Sequence, residues 1–136
     1  MLCIGIDTGV HTGFAVWDTE RKRLTELATL KIHIAMERVQ RLSVSDDIVV
    51  YFEDARQRTW FGSAGREQLQ GAGSVKRDCG IWDDFLKDLE VEYHAIPPRR
   101  NATKMNADFF AKVTGWTGKT SEHARDAAML VFNRKG

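Results

Sequence analysis

Cysteine is scarce in this chain: Cys3 and Cys79 are the two among 136 residues. Two thiols make no disulfide framework and lack the paired spacing of a zinc finger, so the expected setting is reducing and intracellular. No apolar run approaches the ~18 residues that a membrane span needs, which excludes a helical membrane protein. The opening MLCIGIDTGV has no basic leader and meets Asp7 at once, so it is read as a first strand and not as a signal peptide. Internal repeats, low-complexity stretches and linker-like segments are also missing. What remains is 43% hydrophobic and 29% charged, enough for a real core and unlike a disordered tail. Two domains would each be too small for a sizeable core, so residues 1–136 are expected to form one unit.

Net charge is nearly absent as well, at +1, but the total conceals an alternation. Residues 1–55 net −3, 56–77 net +4, 78–92 net −5 and 93–136 net +5. The first basic block holds Arg56, Arg58, Arg66, Lys76 and Arg77, and the second includes Arg99, Arg100, Lys104 and Lys119. A near-neutral total therefore permits a polyanionic partner if both blocks share one face. The bland alternative is solvated surface.

Hydrophobic periodicity gives the elements. Leu2–Ile6 is a short buried run that ends in Asp-Thr-Gly, residues 13–18 form a second strand, and 24–32 a third, joined by short turns. Met36, Val39 and Leu42 place a helix over 34–43. The continuous run IVVYFE, ending at Glu53, suits a central strand buried on both faces. Residues 55–62 have no period and are read as a loop. Val75, Cys79, Trp82, Leu86 and Leu89 recur at helical spacing and predict an amphipathic helix over 75–89. A strand over 91–96 is stopped by Pro97 and Pro98, and helices follow at about 103–113 and 121–133. A three-strand meander followed by alternating helices and strands predicts an α/β fold. Its mixed five-stranded sheet, antiparallel first and then parallel, would be flanked by helices.

Three places carry chemistry. Asp7 ends the first strand between residues that bury it, with Gly9 and Gly13 leaving room for a phosphate, although an Asp capping a hairpin turn looks the same. Glu53 ends IVVYFE, where a carboxylate must be solvated, paired or bound to metal. In Ser121-Glu-His-Ala-Arg-Asp126, His123 and Asp126 share a helix face, as do Glu122 and Asp126, and Ala124, Ala127 and Ala128 allow close packing. Ser121 as N-cap with acids in the first turn is the ordinary structural reading. Taken together the three make an oxygen-rich cluster suited to Mg²⁺ or Mn²⁺. Two such ions ~4 Å apart would serve phosphodiester hydrolysis.

IGIDTGVHTGFAVWD, the strand ending at Glu53, and HARDAAMLV resemble the RuvC family of Holliday junction resolvases, within the ribonuclease H-like superfamily, across nearly the whole chain. The resemblance implies a metal-dependent, structure-selective endonuclease that resolves four-way DNA junctions by paired nicks. Asp7, Glu53 and Asp126 would be metal ligands, with His123 as the fourth ligand or a water-positioning group. Lys104, after PPRRNAT, matches a basic residue that acts at the scissile phosphate. This chain is short for the family, and Glu122 beside His123 leaves the fourth ligand open between them. The family's dimers join through helices, which makes Val75, Cys79, Trp82, Phe85, Leu86 and Leu89 a candidate interface. The same stripe fits a helix facing only its own sheet. Trp60 and Phe61, in a basic loop, would stack on unpaired bases or be buried under that loop. His11 is a turn filler or a phosphate contact, and His33 and His94 are read as structural residues at strand ends. Two alternatives stand beside the resolvase: a small nuclease of the same fold acting in RNA processing, and a nucleotide-phosphate-binding domain of the sugar kinase and actin kind. The latter needs two such domains, more than 136 residues supply.

Overall fold

The computed structural model describes residues 1–58, 66–98 and 105–136, with 66–72 described by backbone alone. Three strands come first: β1 (Leu2–Asp7), β2 (His11–Asp18) and β3 (Arg23–Lys31). Helix α1 (Ile32–Ser45) crosses to β4 (Ile48–Glu53), which runs into a 3₁₀ turn at Ala55–Gln57. Helix α2 (Arg66–Leu89), β5 (Glu92–Ile96), α3 (Ala107–Thr114) and α4 (Glu122–Val131) complete the order. The sheet runs β3-β2-β1-β4-β5. Its first three strands are antiparallel, and β4 and β5 continue it parallel to β1. This is the mixed sheet that the periodicity predicts. Among the described residues no helix is long and apolar enough to cross a membrane.

Local chemistry explains where the elements start and stop. The β1–β2 turn is closed by the Thr12 hydroxyl donating to the Gly9 carbonyl at 2.8 Å, so β2 begins at His11, two residues earlier than expected. The expected helix at 103–113 starts instead at Ala107, because the Asn106 side chain accepts from the Phe109 amide at 2.8 Å and caps it there. Gly115 ends α3 in the left-handed conformation, φ 76°, which a glycine adopts without steric cost. Ser121 caps α4 by accepting from the Ala124 amide. His33 lies in α1. His94 lies inside β5, its ring stacked on Tyr51 at 5.1 Å, so neither histidine sits at a strand end.

Alternation along the strands divides the core in two. Ile4, Ile6, Phe14, Val16, Val50 and Phe52 face α1 and α2, where they meet Ala35, Val39, Cys79, Trp82 and Leu86. Cys3, Ala15 and Trp17 point the other way, to Phe110 of α3 and Ala127, Ala128 and Val131 of α4. The α2 stripe is thereby accounted for. Cys79, Trp82 and Leu86 are completely buried in the chain's own core, and Val75, Phe85 and Leu89 pack partly buried against it. The reading of Cys79, Trp82 and Leu86 as dimer-interface residues is corrected, because their side chains present no surface to a second copy. Replacing Trp82 by glutamate would put a charge into the core and would not act on a subunit contact.

The second face is the tighter one. An ideal Cβ built on Gly5 would collide with the Ala127 carbonyl, and one built on Gly13 with the His123 carbonyl. The same Cβ on Gly13 would come 2.9 Å from the Cβ of Asp7. Two glycines thus admit the backbone of α4 directly onto β1 and β2. Neither obstacle is a flexible side-chain end, so Gly13→Ala must displace the helix. We expect that substitution to destabilise the fold by ~2–3 kcal/mol or more, the range for overpacking a close contact. Ala15→Gly, two residues along the same strand, should cost nearer ~1 kcal/mol. Urea unfolding of both variants tests the difference.

Candidate active site

Asp7 and Glu53 are brought together by strand register. In the parallel β1–β4 pair, Leu2 lies beside Ile48 and Ile6 beside Phe52; one residue further, the same register sets Asp7 beside Glu53. Neighbouring strands lie ~4.8 Å apart, and both residues belong to the α4 side of the sheet by alternation. Both are half-buried.

Helix α4 brings the third group. His123 Nδ1 lies 2.9 Å from Asp7 Oδ2. That is hydrogen-bond distance, and it leaves the Nε2 side of the ring pointing away from this contact. Asp126, half-buried, lies one helical turn beyond His123. Glu122 is exposed in the first turn, and His123, the other candidate for the fourth position, is in contact with Asp7. The N-terminus of α4 is held in place from two sides. Ser121 is hydrogen-bonded to Thr29 of β3. Arg125 donates to the Met105 carbonyl at 2.9 Å and to Thr120 O and Oγ1 at 2.7 and 2.9 Å. Nothing in the local sequence pattern marks this arginine.

A polar network lies behind Glu53. Asp54 is buried, and its carboxylate takes both Nε and a terminal nitrogen of Arg56 at 2.8 and 2.9 Å, the Arg56 amide at 3.0 Å and the Gln57 amide group at 3.3 Å. The same guanidinium reaches Asp83 of α2 at 3.2 Å, and Asp83 also accepts from the Tyr93 hydroxyl of β5. Burial pushes the Asp54 carboxyl up, but the hydrogen bonds from Arg56 and Gln57 outweigh it and hold the group below the usual carboxylate range. The Tyr93 hydroxyl, bonded to Asp83, is pushed up to about 12. Arg56 was expected to bind DNA. Its charge is engaged by two carboxylates of its own chain, Asp54 and Asp83. An Asp two residues before an Arg at the start of a turn is the signal that was available.

The other expected contacts divide into several groups. Arg77 is exposed and 3.5 Å from Asp78, Lys119 is exposed two residues before the α4 cap, and Arg58 and Lys76 are half-buried. The side chain of Arg66, and Trp60, Phe61, Arg99, Arg100 and Lys104 entirely, lie outside the described residues. Among the described residues no three His, Cys, Asp or Glu side chains are gathered closely enough to hold a metal ion. The chemistry of the carboxylates nevertheless fits a divalent cation, since they are hard oxygen donors, whereas the imidazole is a borderline nitrogen ligand. Asp7, Glu53 and Asp126 are the residues that would hold it.

Sequence comparison finds no matching family model and no matching curated protein. Comparison of folds does find likenesses. T. thermophilus RuvC in complex with a Holliday junction substrate aligns over 97% of this chain and 91% of that one, at 19% identity and a TM-score of 0.59. The fold is RuvC-like. A trimeric exonuclease, PhoExo I from Pyrococcus horikoshii OT3, aligns over 71% of this chain and 57% of its own, at 15% identity and a TM-score of 0.37.

Within this RuvC-like fold the Asp54–Arg56 pair yields a stability test. Arg56→Met leaves a buried carboxylate short of its two strongest partners, at an expected cost of ~2–3 kcal/mol near neutral pH. The sign with pH follows from the depressed value of Asp54. Its contribution is fully present above the ordinary carboxylate value of ~4 and is lost as pH falls through the lowered folded value. Without Arg56 the buried carboxyl is raised, so protonation relieves it. The stability gap between wild type and variant should therefore narrow from pH 7 to pH 3, as read by denaturant unfolding across that range.

Proposed function

We propose that this chain is a metal-dependent endonuclease, acting as one domain over residues 1–136, that nicks four-way DNA junctions inside the cell. The observation that supports the reading is that Asp7 and Glu53 follow directly on the last paired rung of two central strands, Ile6 beside Phe52, with His123 Nδ1 2.9 Å from Asp7. Crevices at the carboxyl ends of parallel strands are where α/β folds bind ligands. The RuvC of similar fold is described in complex with a Holliday junction substrate, which supports the choice of substrate.

Each residue has a role in that chemistry. Asp7, Glu53 and Asp126 would hold Mg²⁺, with Mn²⁺ as a substitute, and bound ions at such a site polarise a phosphoryl oxygen and lower the pKa of water. His123, its Nδ1 fixed by Asp7, presents Nε2 to orient the attacking water or to take its proton. Lys104 would offset charge on the scissile phosphate. Arg58, Lys76, Arg77, Arg99, Arg100 and Lys119 would contact the DNA backbone. Trp60 and Phe61 would stack on bases unpaired at the crossover. Paired nicks across a symmetric junction call for a homodimer with two sites, joined through a surface other than the buried Cys79, Trp82 and Leu86.

The test is to incubate the protein with Mg²⁺ and labelled four-way junction, linear duplex and RNA–DNA hybrid. Paired nicks in the junction are expected, with little cleavage of duplex or hybrid; preferential cleavage of the hybrid would redirect the reading to RNA processing. Asp7→Asn removes a charge worth several kcal/mol of transition-state stabilisation, so cleavage should fall by about a hundredfold or more. Junction affinity in gel shift should persist, because the basic contacts remain. Full Mg²⁺-dependent activity in Asp7→Asn would overturn the assignment.

A further inference from the structure

We propose that Thr8 and Cys79 are positioning residues that set the spacing of Asp7 and Glu53 from the opposite face of the sheet. The kinetic side of this inference rests on the nuclease reading; the structural side stands on geometry alone. Alternation places the Asp7 side chain on the α4 side and turns the next residue toward α2. There the Thr8 hydroxyl donates to the Glu53 backbone carbonyl at 3.2 Å and lies 3.2 Å from Cys79 Sγ, itself 3.6 Å from the same carbonyl. The hydroxyl and the thiol are within hydrogen-bond distance of each other, and the thiol also donates toward the Glu53 carbonyl. Cys79 is fully buried in the core cluster.

This triangle occupies the rung where the strand register runs out. Backbone pairing of β1 with β4 extends from Leu2 and Ile48 to Ile6 and Phe52, one residue short of the two carboxylates. Beyond it β1 departs into the hairpin turn and β4 into the 3₁₀ turn. The Thr8 hydroxyl adds one cross-strand bond at the residues that need fixed separation, and Cys79 ties that bond to α2. A displacement of ~1 Å between cooperating groups costs on the order of a hundredfold in rate, so a side-chain bond under the carboxylates acts on catalysis without touching the substrate.

The experiment compares Thr8→Val, which keeps the shape and loses the hydroxyl, with Thr8→Ser, which keeps the hydroxyl. Both are made in the full chain. Junction cleavage with Mg²⁺ gives kcat and KM, and backbone amide exchange by NMR without metal gives the mobility of residues 7, 8, 53 and 54. Thr8→Val should lower kcat about tenfold with KM changed less than about twofold, the pattern of a lost transition-state arrangement. It should also speed exchange at those four amides by about fivefold or more while leaving β2 and β3 unchanged. Thr8→Ser should restore both. Wild-type exchange at the strand ends in Thr8→Val, or equal impairment of the two variants, would overturn the inference. A wild-type protein that cleaves nothing defeats the nuclease reading, and the exchange comparison then decides the inference by itself. Should Thr8→Val fail to fold, Thr8→Ala set against Thr8→Ser supplies the same comparison.

Discussion

The contact on which the candidate site depends is the seat of α4 on β1 and β2. Backbone carbonyls of His123 and Ala127, one helical turn apart, occupy the space where Gly13 and Gly5 lack side chains. With a Cβ at either position the helix would have to stand away from the sheet, and the 2.9 Å bond between His123 and Asp7 would open. Gly13 has a double duty, because its missing side chain also clears the Cβ of Asp7 across the strand pair. Buried Ala124, Ala127 and Ala128 complete the fit from the helix side. The small residues here set a distance, and that distance carries the chemistry.

The sheet divides its labour between two faces. On one, large apolar side chains of β1, β2 and β4 meet α1 and α2 in a conventional core, with Trp82 at its centre. On the other, the strand ends carry acids and α4 supplies the imidazole. The two faces communicate at the carboxyl ends of β1 and β4, where Thr8 and Cys79 lie under the carboxylates. Slightly further out, Asp54, Arg56, Asp83 and Tyr93 tie the turn after Glu53 to both α2 and β5. A buried carboxylate held by a forked guanidinium restricts geometry more than it adds net stability. Here it restricts the exit of the strand that bears Glu53.

Arg56 belongs to a basic stretch by sequence, but its partners are an acid two residues before it and another 27 residues away. The alternation of charge along the chain thus describes in part how acidic and basic segments pair with each other. Lys119, near the α4 cap, and Arg77 of α2 are exposed, and Arg77 lies 3.5 Å from Asp78.

The sequence by itself determined the strands, their order and the places of Asp7 and Glu53. A continuous apolar run buries both faces of a strand and leaves its acid no position but the end, and period-two alternation then decides the face. It determined the helix carrying His123 and Asp126, because the cap and the alanines are local. Only the tertiary structure decided what covers the α2 stripe, which partner Arg56 takes, that His123 meets Asp7, and that Thr8 bridges to Glu53. Periodicity records which side of an element is apolar or polar. What stands opposite that side is set by packing between segments tens of residues apart, and no local pattern carries that distance.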